Sequence, residues 1–351
     1  MDPLTQGLLG AAAAQAVIGE RLGRKGWWLG ALGGMAPDLD VVIRSASDPL
    51  LVLEYHRHFT HSLAFIPIGG LLVAAPFVLL AREQPREHKL LIAAATTLGW
   101  ATHGLLDAFT SYGTLLWWPF SNARVAWNWI SVIDPIYTLV LALGVVLAIR
   151  ATPLLASGRP PPKRASDPRR PAWLALFASS LYLGLCGVQH HRALEAQVEI
   201  AKLRQHTVVR RSAQPLLLTN LLWRSMYETD DGRLWIDALS IPWWAKIGHH
   251  GGGARAKVEA PSQVEDPSER DLARFAWFAS EWVYAAPELS AEGSGDPIYC
   301  DARYSLDPAR FAAVFCVEIG PEGATELFQR RPEDSRAALR EMLAMLRPPA
   351  D

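Results

Sequence analysis

The chain has 351 residues, of which 20 % are charged, and its formal net charge is −1. No basic stripe stands out beyond one Pro-rich linker, so no nucleic-acid partner is expected. Three cysteines are too few for a disulfide framework and lack the paired spacing of a structural zinc site, whereas 14 tryptophans suit a protein with membrane interfaces to anchor.

The N-terminus, "MDPLTQGLLGAAAAQAVIGERLGRKG", contains an apolar, small-residue stretch. Its first charge is Asp2 and its basic cluster follows the apolar part, the reverse of a secretory signal, so a retained helix is expected. Residues 4 to 19 and 27 to 36 are short apolar segments, read as tilted or partial spans. Four later stretches approach the ~20 apolar residues that cross a bilayer: 62 to 81, 90 to 109, 132 to 149 and 172 to 189. Arginines that can snorkel flank the last two.

Basic clusters at 21 to 25, 82 to 89 and 150 to 170 set the orientation, because short Lys- and Arg-rich loops stay cytoplasmic. Asp2, residues 37 to 61, residues 103 to 131 and everything after His190 are then expected outside. The linker "GRPPPKRASDPRR" reads as a solvated tether. Beyond it, "HHRALEAQVEIAKLRQ" reads as a helix leaving the membrane. "RLWIDALSI", "RYSL" and "FAAVFCVEI" read as strands, about 268 to 286 as a helix and "PEDSRAALREMLAMLR" as a terminal helix. "GHHGGG" reads as a mobile surface loop more than as a metal tract. Cys300 and Cys316 flank a candidate hairpin, where a disulfide and two buried thiols are both open.

The expected architecture is mainly α, a polytopic helical membrane domain followed by an α+β extracytoplasmic domain. The boundaries are 1–150 for a membrane-embedded metal-site domain, 151–171 for a cytoplasmic Pro/Arg-rich linker, 172–192 for a last transmembrane helix and 193–351 for the outer domain.

Four motifs on the expected outer face carry chemistry. "ATHGLLDAFT" puts His103 and Asp107 one helical turn apart, on one side of a helix, where both can ligate one ion or a tight pair of ions. "APDLD" offers Asp38 and Asp40, "YHRHFTHS" offers His56, His58 and His61, and "ISVIDPIY" places Asp134 at the start of a span. Ionisable groups at membrane depth are costly, and a metal would stabilise these carboxylates as anions. Imidazole with carboxylate suits zinc, manganese or iron, from one to three ions. The plainer readings are a hydrogen-bonded His/Asp couple, a helix cap at "PDLD" and an interfacial basic patch at "HRHFTH". Their arrival on one side of the membrane, from separate segments, favours the metal. No HExxH, GxSxG, P-loop or Rossmann fingerprint occurs.

"MDPLTQGLLGAA", "GGMAPDLDVVI", "HRHFTHSLAF" and "ATHGLLDAFTSYGTLLWWPFSNARVAWNWISVIDPIYTL", in that order, make residues 1 to 150 resemble the YdjM-like family of bacterial inner-membrane proteins, described as membrane-bound metal-dependent hydrolases. Such proteins are thought to be distantly similar to zinc-dependent phospholipases C. The resemblance implies Asp38, Asp40, His56, His61, His103, Asp107 and Asp134 as metal-site residues, with His58 incidental. Many relatives carry a histidine where this chain has Gln6; an amide there can still hydrogen-bond a bound water. Metal-activated water is expected to attack a phosphoester such as a phospholipid, with Asp38 or Asp40 orienting or deprotonating that water. Membrane lipids are the expected partners, in a multi-pass bacterial inner-membrane protein. Two rival readings stand: a non-enzymatic metal-binding or ion-handling membrane protein, and a membrane-anchored binding module whose outer aromatics, "LWIDALSIPWW" and "FAWFASEWVY", line a recognition surface.

Overall fold

The structure is a computed structural model that describes residues 1–23, 25–152, 167, 169–290, 296–305, 307–330 and 335–346. Most of the linker expected over 151–171 lies outside the described residues. The chain divides into two compact units, one of Met1–Val42 with Tyr55–Cys186, the other of Ile43–Glu54 with Gly187–Asp351.

Unit 1 is helical. Asp2 caps α1 (Pro3–Leu22), its carboxylate accepting from Thr5 N at 3.0 Å, and Pro3 opens the first turn. α2 (Lys25–Met35) and α5 (Arg86–Ala108) pack against α1 with backbones in near contact. A Cβ on Gly10 would fall 2.3 Å from the Gly30 carbonyl oxygen, and one on Gly99 would fall 2.1 Å from that same oxygen. α4 (Ile66–Leu80) lies along α5, with Gly69 against Trp100 and Gly70 against Thr97. α6 (Pro135–Ala151) and the first part of α7 (Arg170–Leu203) complete the unit, around a core that includes Leu106, Tyr137, Leu141 and Cys186.

Unit 2 is α+β. Its first antiparallel sheet runs in the order β1 (Val208–Pro215), β2 (Leu222–Thr229), β3 (Arg233–Ser240), β4 (Gly248–Ala256). The second runs β5 (Val283–Ala285), β6 (Ile298–Asp301), β7 (Phe315–Gly320), β8 (Gly323–Gln329). Met226, Leu234 and Ile236 of the first sheet share a core with Tyr284, Ile298 and Cys316 of the second. The outer part of α7 packs on the first sheet through Ala193 with Trp223, and Gln197 Nε2 donates to Ser212 O and Met226 O at 3.0 and 2.9 Å. Cys300 and Cys316, opposite one another on β6 and β7, form a disulfide. Arg274, on α8 (Pro267–Phe278), pairs with Asp48 and with Glu54 of the short helix α3 (Leu51–Tyr55) at 2.8 Å each and so ties segment 43–54 to this unit. α9 (Ser335–Met345) is the terminal helix.

The expectation of a mainly α fold with a polytopic helical membrane domain is overturned. Among the described residues only Leu63–Leu80 and Arg170–Leu203 are long and apolar enough to cross a bilayer, and the two sheets make the chain α+β. The apolar character of α1 and α5 is spent on protein contacts: α1 buries Gly10, Ala11, Ala12, Ala13 and Ala14 in sequence, and α5 begins with the charged turn Arg86–Lys89. α6 has 17 residues and falls short of the length needed.

Smaller corrections follow from local geometry. The helix expected over 268 to 286 stops at Phe278, because Ser280 and Glu281 take left-handed backbones (φ 49° and 61°), and 283–285 is strand β5. Of "RYSL", Arg303 is in a turn, Tyr304 in a bend and Ser305 in an isolated bridge with Ala313, while Leu306 lies outside the described residues. "GHHGGG" is the start of β4: a Cβ on Gly252 would fall 2.1 Å from Ile236 O and 2.0 Å from Ala309 O, so the glycine serves close backbone approach beside a bulge.

Overpacking predicts that Gly30→Ala destabilises unit 1 by about 1–3 kcal/mol. Gly184→Ala, where a Cβ meets nothing within 4 Å, leaves stability unchanged or slightly raised. Thermal unfolding of the two purified variants checks the contrast.

Candidate metal centre

Three separate segments supply the site. Asp38 lies on a 3₁₀ turn (Ala36–Val42) that follows α2, His61 ends another (Phe59–His61) just before α4, and His103 and Asp107 share one face in the last turns of α5. The approach of these segments depends on Gly104, where a Cβ would fall 2.0 Å from the His61 carbonyl oxygen.

One ligand-type atom from each of Asp38, His61, His103 and Asp107 lies within 4.8 Å of all the others. The two imidazole Nε2 atoms are 2.9 Å apart. His61 Nε2 is 3.2 Å from Asp107 Oδ2 and 3.5 Å from Asp38 Oδ1, and His103 Nε2 is 3.5 and 3.4 Å from the same two oxygens. His61, His103 and Asp107 are fully buried, while the Asp38 side chain is 19 % exposed and forms the open side of the group.

The outward ring nitrogens fix the tautomers. His103 Nδ1 faces the Gly34 carbonyl oxygen at 2.5 Å, and a carbonyl only accepts, so Nδ1 carries the proton. Thr60 Oγ1 donates to Asp40 Oδ2 at 2.9 Å, which leaves its lone pairs to accept from His61 Nδ1 at 3.0 Å; Asp40 Oδ2 is 3.2 Å from the same nitrogen. Both Nε2 lone pairs therefore point inward at two carboxylate oxygens, one of which, Asp107 Oδ2, also lies 3.1 Å from Arg57 Nε. The facing lone pairs need positive charge close by, and Arg57 and the Met1 amine supply some of it on Asp107 alone. A proton meets the need in part: burial pushes the His61 imidazole down, but hydrogen bonds to Asp107, Asp38 and Asp40 outweigh it and raise the group to about 10. A divalent cation meets it fully, and the two-His, two-Asp donor set suits one. These four residues could hold a metal ion.

The remaining sequence candidates fall elsewhere. Asp40 and His56 stand one layer back: Asp40 Oδ1 contacts His56 Nδ1 at 2.8 Å, and Oδ2 accepts from Arg57 N at 2.9 Å. Burial pushes the Asp40 carboxyl up, yet its hydrogen bonds with His56 and His61 hold it well below the usual carboxylate range. Asp134 is not among the four. It caps α6, accepting from Tyr137 N at 3.0 Å and from the Tyr182 hydroxyl at 2.9 Å. Gln6 Nε2 donates to Asp107 Oδ1 at 2.9 Å, and the Met1 amine contacts the same oxygen. His249 and His250 of the glycine-flanked tract face Asp237 and the Met345 carbonyl at 3.1 and 2.9 Å.

Arg57 was not singled out from the sequence, although it lies inside the "HRHFTH" motif. It is buried, with Nε 3.1 Å from Asp107 Oδ2 and Nη1 donating to Thr110 Oγ1 at 2.8 Å. Its backbone is left-handed at φ 66°, a conformation that costs roughly 1–2 kcal/mol and is held by the hydrogen bond to Asp40. That turn sends the guanidinium toward Asp107 while His56 stays on Asp40.

A family model described as YdjM inner membrane protein matches residues 1–193. The chain is also similar to a Bacillus subtilis (strain 168) protein titled "Uncharacterized protein YfhP", 31 % identical over 103 residues, which are 29 % of this chain and 30 % of that one. The match therefore spans about three tenths of the relative's length. No solved structure matches.

Because Asp40 and Thr60 orient His61, Asp40→Asn should weaken binding of a divalent cation by about 10- to 100-fold while the protein stays folded. Competition against a chromogenic chelator measures the change.

Proposed function

The chain belongs to the YdjM inner membrane protein family, and from that premise we propose that it is a membrane-bound, metal-dependent hydrolase of a lipid phosphoester. The observation that carries the reading is the group of four inward-facing donors from Asp38, His61, His103 and Asp107. Zinc suits it best, with manganese or iron also matching the nitrogen and oxygen donors. A bound ion would supply Lewis acidity and lower the pKa of water.

The chain's own residues divide the remaining work. Asp40 and the Gly34 carbonyl hold the two imidazoles in the tautomer that presents Nε2, and Arg57 offsets the charge of Asp107. Asp38, the one donor with an open face, is placed to orient an incoming water or accept its proton. Leu39, Val41 and Val42, which neighbour Asp38 and Asp40 in the chain, are exposed. That apolar rim supports a substrate with an acyl portion. The phosphoester class comes from the pairing of a metal-binding donor set with a lipid setting, and the likeness to zinc-dependent phospholipases C belongs to the same proposal.

The site is placed outside the cytoplasm. It adjoins the N-terminal end of the apolar stretch Leu63–Leu80, whose other end leads into the basic segment 82–89, and α5, sheltered against α1, α2 and α4, brings His103 and Asp107 back to the same end. Unit 2 is placed outside as well, since α7 starts at the arginines that close the linker, and a disulfide persists in oxidising compartments.

Elemental mass spectrometry of the detergent-purified protein, followed by assay on a panel of lipid phosphoesters, tests the chemistry. The wild type should carry about one to three equivalents of zinc, manganese or iron and release phosphate or a phosphorylated headgroup; His103→Ala/Asp107→Ala should lose both. Metal retained with no turnover on any lipid would favour the non-enzymatic reading, and no metal in either protein would end the metal reading. For topology, a reporter active only outside the cytoplasm should be active when fused after Gln205 and silent after Gln84. The opposite pattern overturns the placement.

A further inference from the structure

Unit 2 carries a group of large apolar side chains that its core does not use. Leu217 and Leu218, in the β1–β2 connection, are 54 % and 48 % exposed, and Trp243, Trp244 and Ile247, in the β3–β4 connection, are 51 %, 75 % and 43 % exposed. Strand order puts both connections at one end of the first sheet, where Ile241 N donates to Leu221 O at 2.7 Å. In water such a cluster is a liability for aggregation.

The position of that end along α7 is fixed. Gln189 Nε2 donates to Asn220 O and Ile241 O, one carbonyl from each connection, at 3.2 and 2.7 Å. Arg192 donates to Pro242 O at 3.0 Å, and its guanidinium covers the Trp243 ring at 4.8 Å. Gln189 is also where the helix changes character. Trp173, Leu174, Phe177, Leu181, Leu185 and Val188 are exposed apolar residues, and His190, His191 and Arg192 follow. From Pro171 to Val188 the helix rises about 27 Å at 1.5 Å per residue, close to the ~30 Å hydrocarbon core. The two connections thus sit at the level where α7 leaves the apolar layer.

We propose that Leu217, Leu218, Trp243, Trp244 and Ile247 form a foot that seats unit 2 in the interfacial layer of the bilayer that α7 crosses. The inference rests on the reading of α7 as a membrane span. Tryptophan is the side chain that settles at headgroup depth, with its ring in the acyl boundary and its N–H in the wet layer. Lys246, exposed between Trp244 and Ile247, adds a cation for anionic headgroups. A second copy of the chain is the competing occupant, but continuity with the apolar stretch of α7 favours lipid.

Site-directed spin labelling of the full chain, reconstituted in phosphatidylcholine/phosphatidylglycerol bilayers, tests the foot. Single cysteines replace Leu217, Trp244, Phe177 or Val209 in a Cys186→Ala background, and the native disulfide reports folding of each variant. The ratio of collision rates with oxygen and with a water-soluble nickel chelate reads depth. At 217 and 244 it should shift from the aqueous value, set by the exposed Val209, toward the lipid value set by Phe177. Aqueous ratios at 217 and 244 with a lipid ratio at 177 overturn the foot alone, as would low collision rates with both reagents at 217 and 244, the mark of a protein–protein contact. An aqueous ratio at 177 overturns the span on which it rests.

Discussion

Two imidazoles and two carboxylates that face one another away from water need positive charge close by, and unit 1 is arranged around that need, with Arg57 and the Met1 amine on one of the carboxylates. Three of the four donors are held from behind: His103 by the Gly34 carbonyl, His61 by Thr60 and Asp40, Asp107 by Gln6 and Arg57. With these supports those three side chains do not readily turn away to relieve the repulsion, and Asp38 alone keeps that freedom. The rigidity is inherited from backbones in near contact, α1, α2 and α5 at Gly10, Gly30 and Gly99, and the His61 turn against α5 at Gly104, where a side chain would push the two imidazoles apart.

Part of this was legible in the chain. His103 and Asp107 are one turn apart, so their shared face follows from helical periodicity alone, and the acidic and histidine-rich motifs were recognisable by composition. Sequence could not rank them. Asp38 and Asp40 differ by two positions, and only the 3₁₀ turn decides which carboxylate faces the other donors and which braces the histidines. Asp134 precedes a proline at a helix start, where an N-cap and a ligand look the same. Arg57 was hidden by its left-handed backbone, which no pattern of neighbouring residues announces.

The misreading of the fold has a similar origin. Hydropathy records how apolar a segment is, and it does not say whether lipid or protein covers it. α1 is rich in glycine and alanine, residues that score as apolar and in this structure line helix–helix contacts, whereas α4 and α7 carry large side chains that remain exposed. The glycines of "GHHGGG" misled in the opposite direction. They suggest a loop by composition, yet Gly252 permits a strand to pass two carbonyl groups at close range.

The open face of Asp38 has a consequence for exchange kinetics. An ion held by four donors of which three are sealed in protein would leave past the fourth, so release would begin with the Asp38 carboxylate swinging outward before the other three bonds break. Metal loss and metal loading would then share a single gate. The protein would keep its ion against competing chelators for far longer than its equilibrium affinity suggests, and would take up a replacement just as slowly.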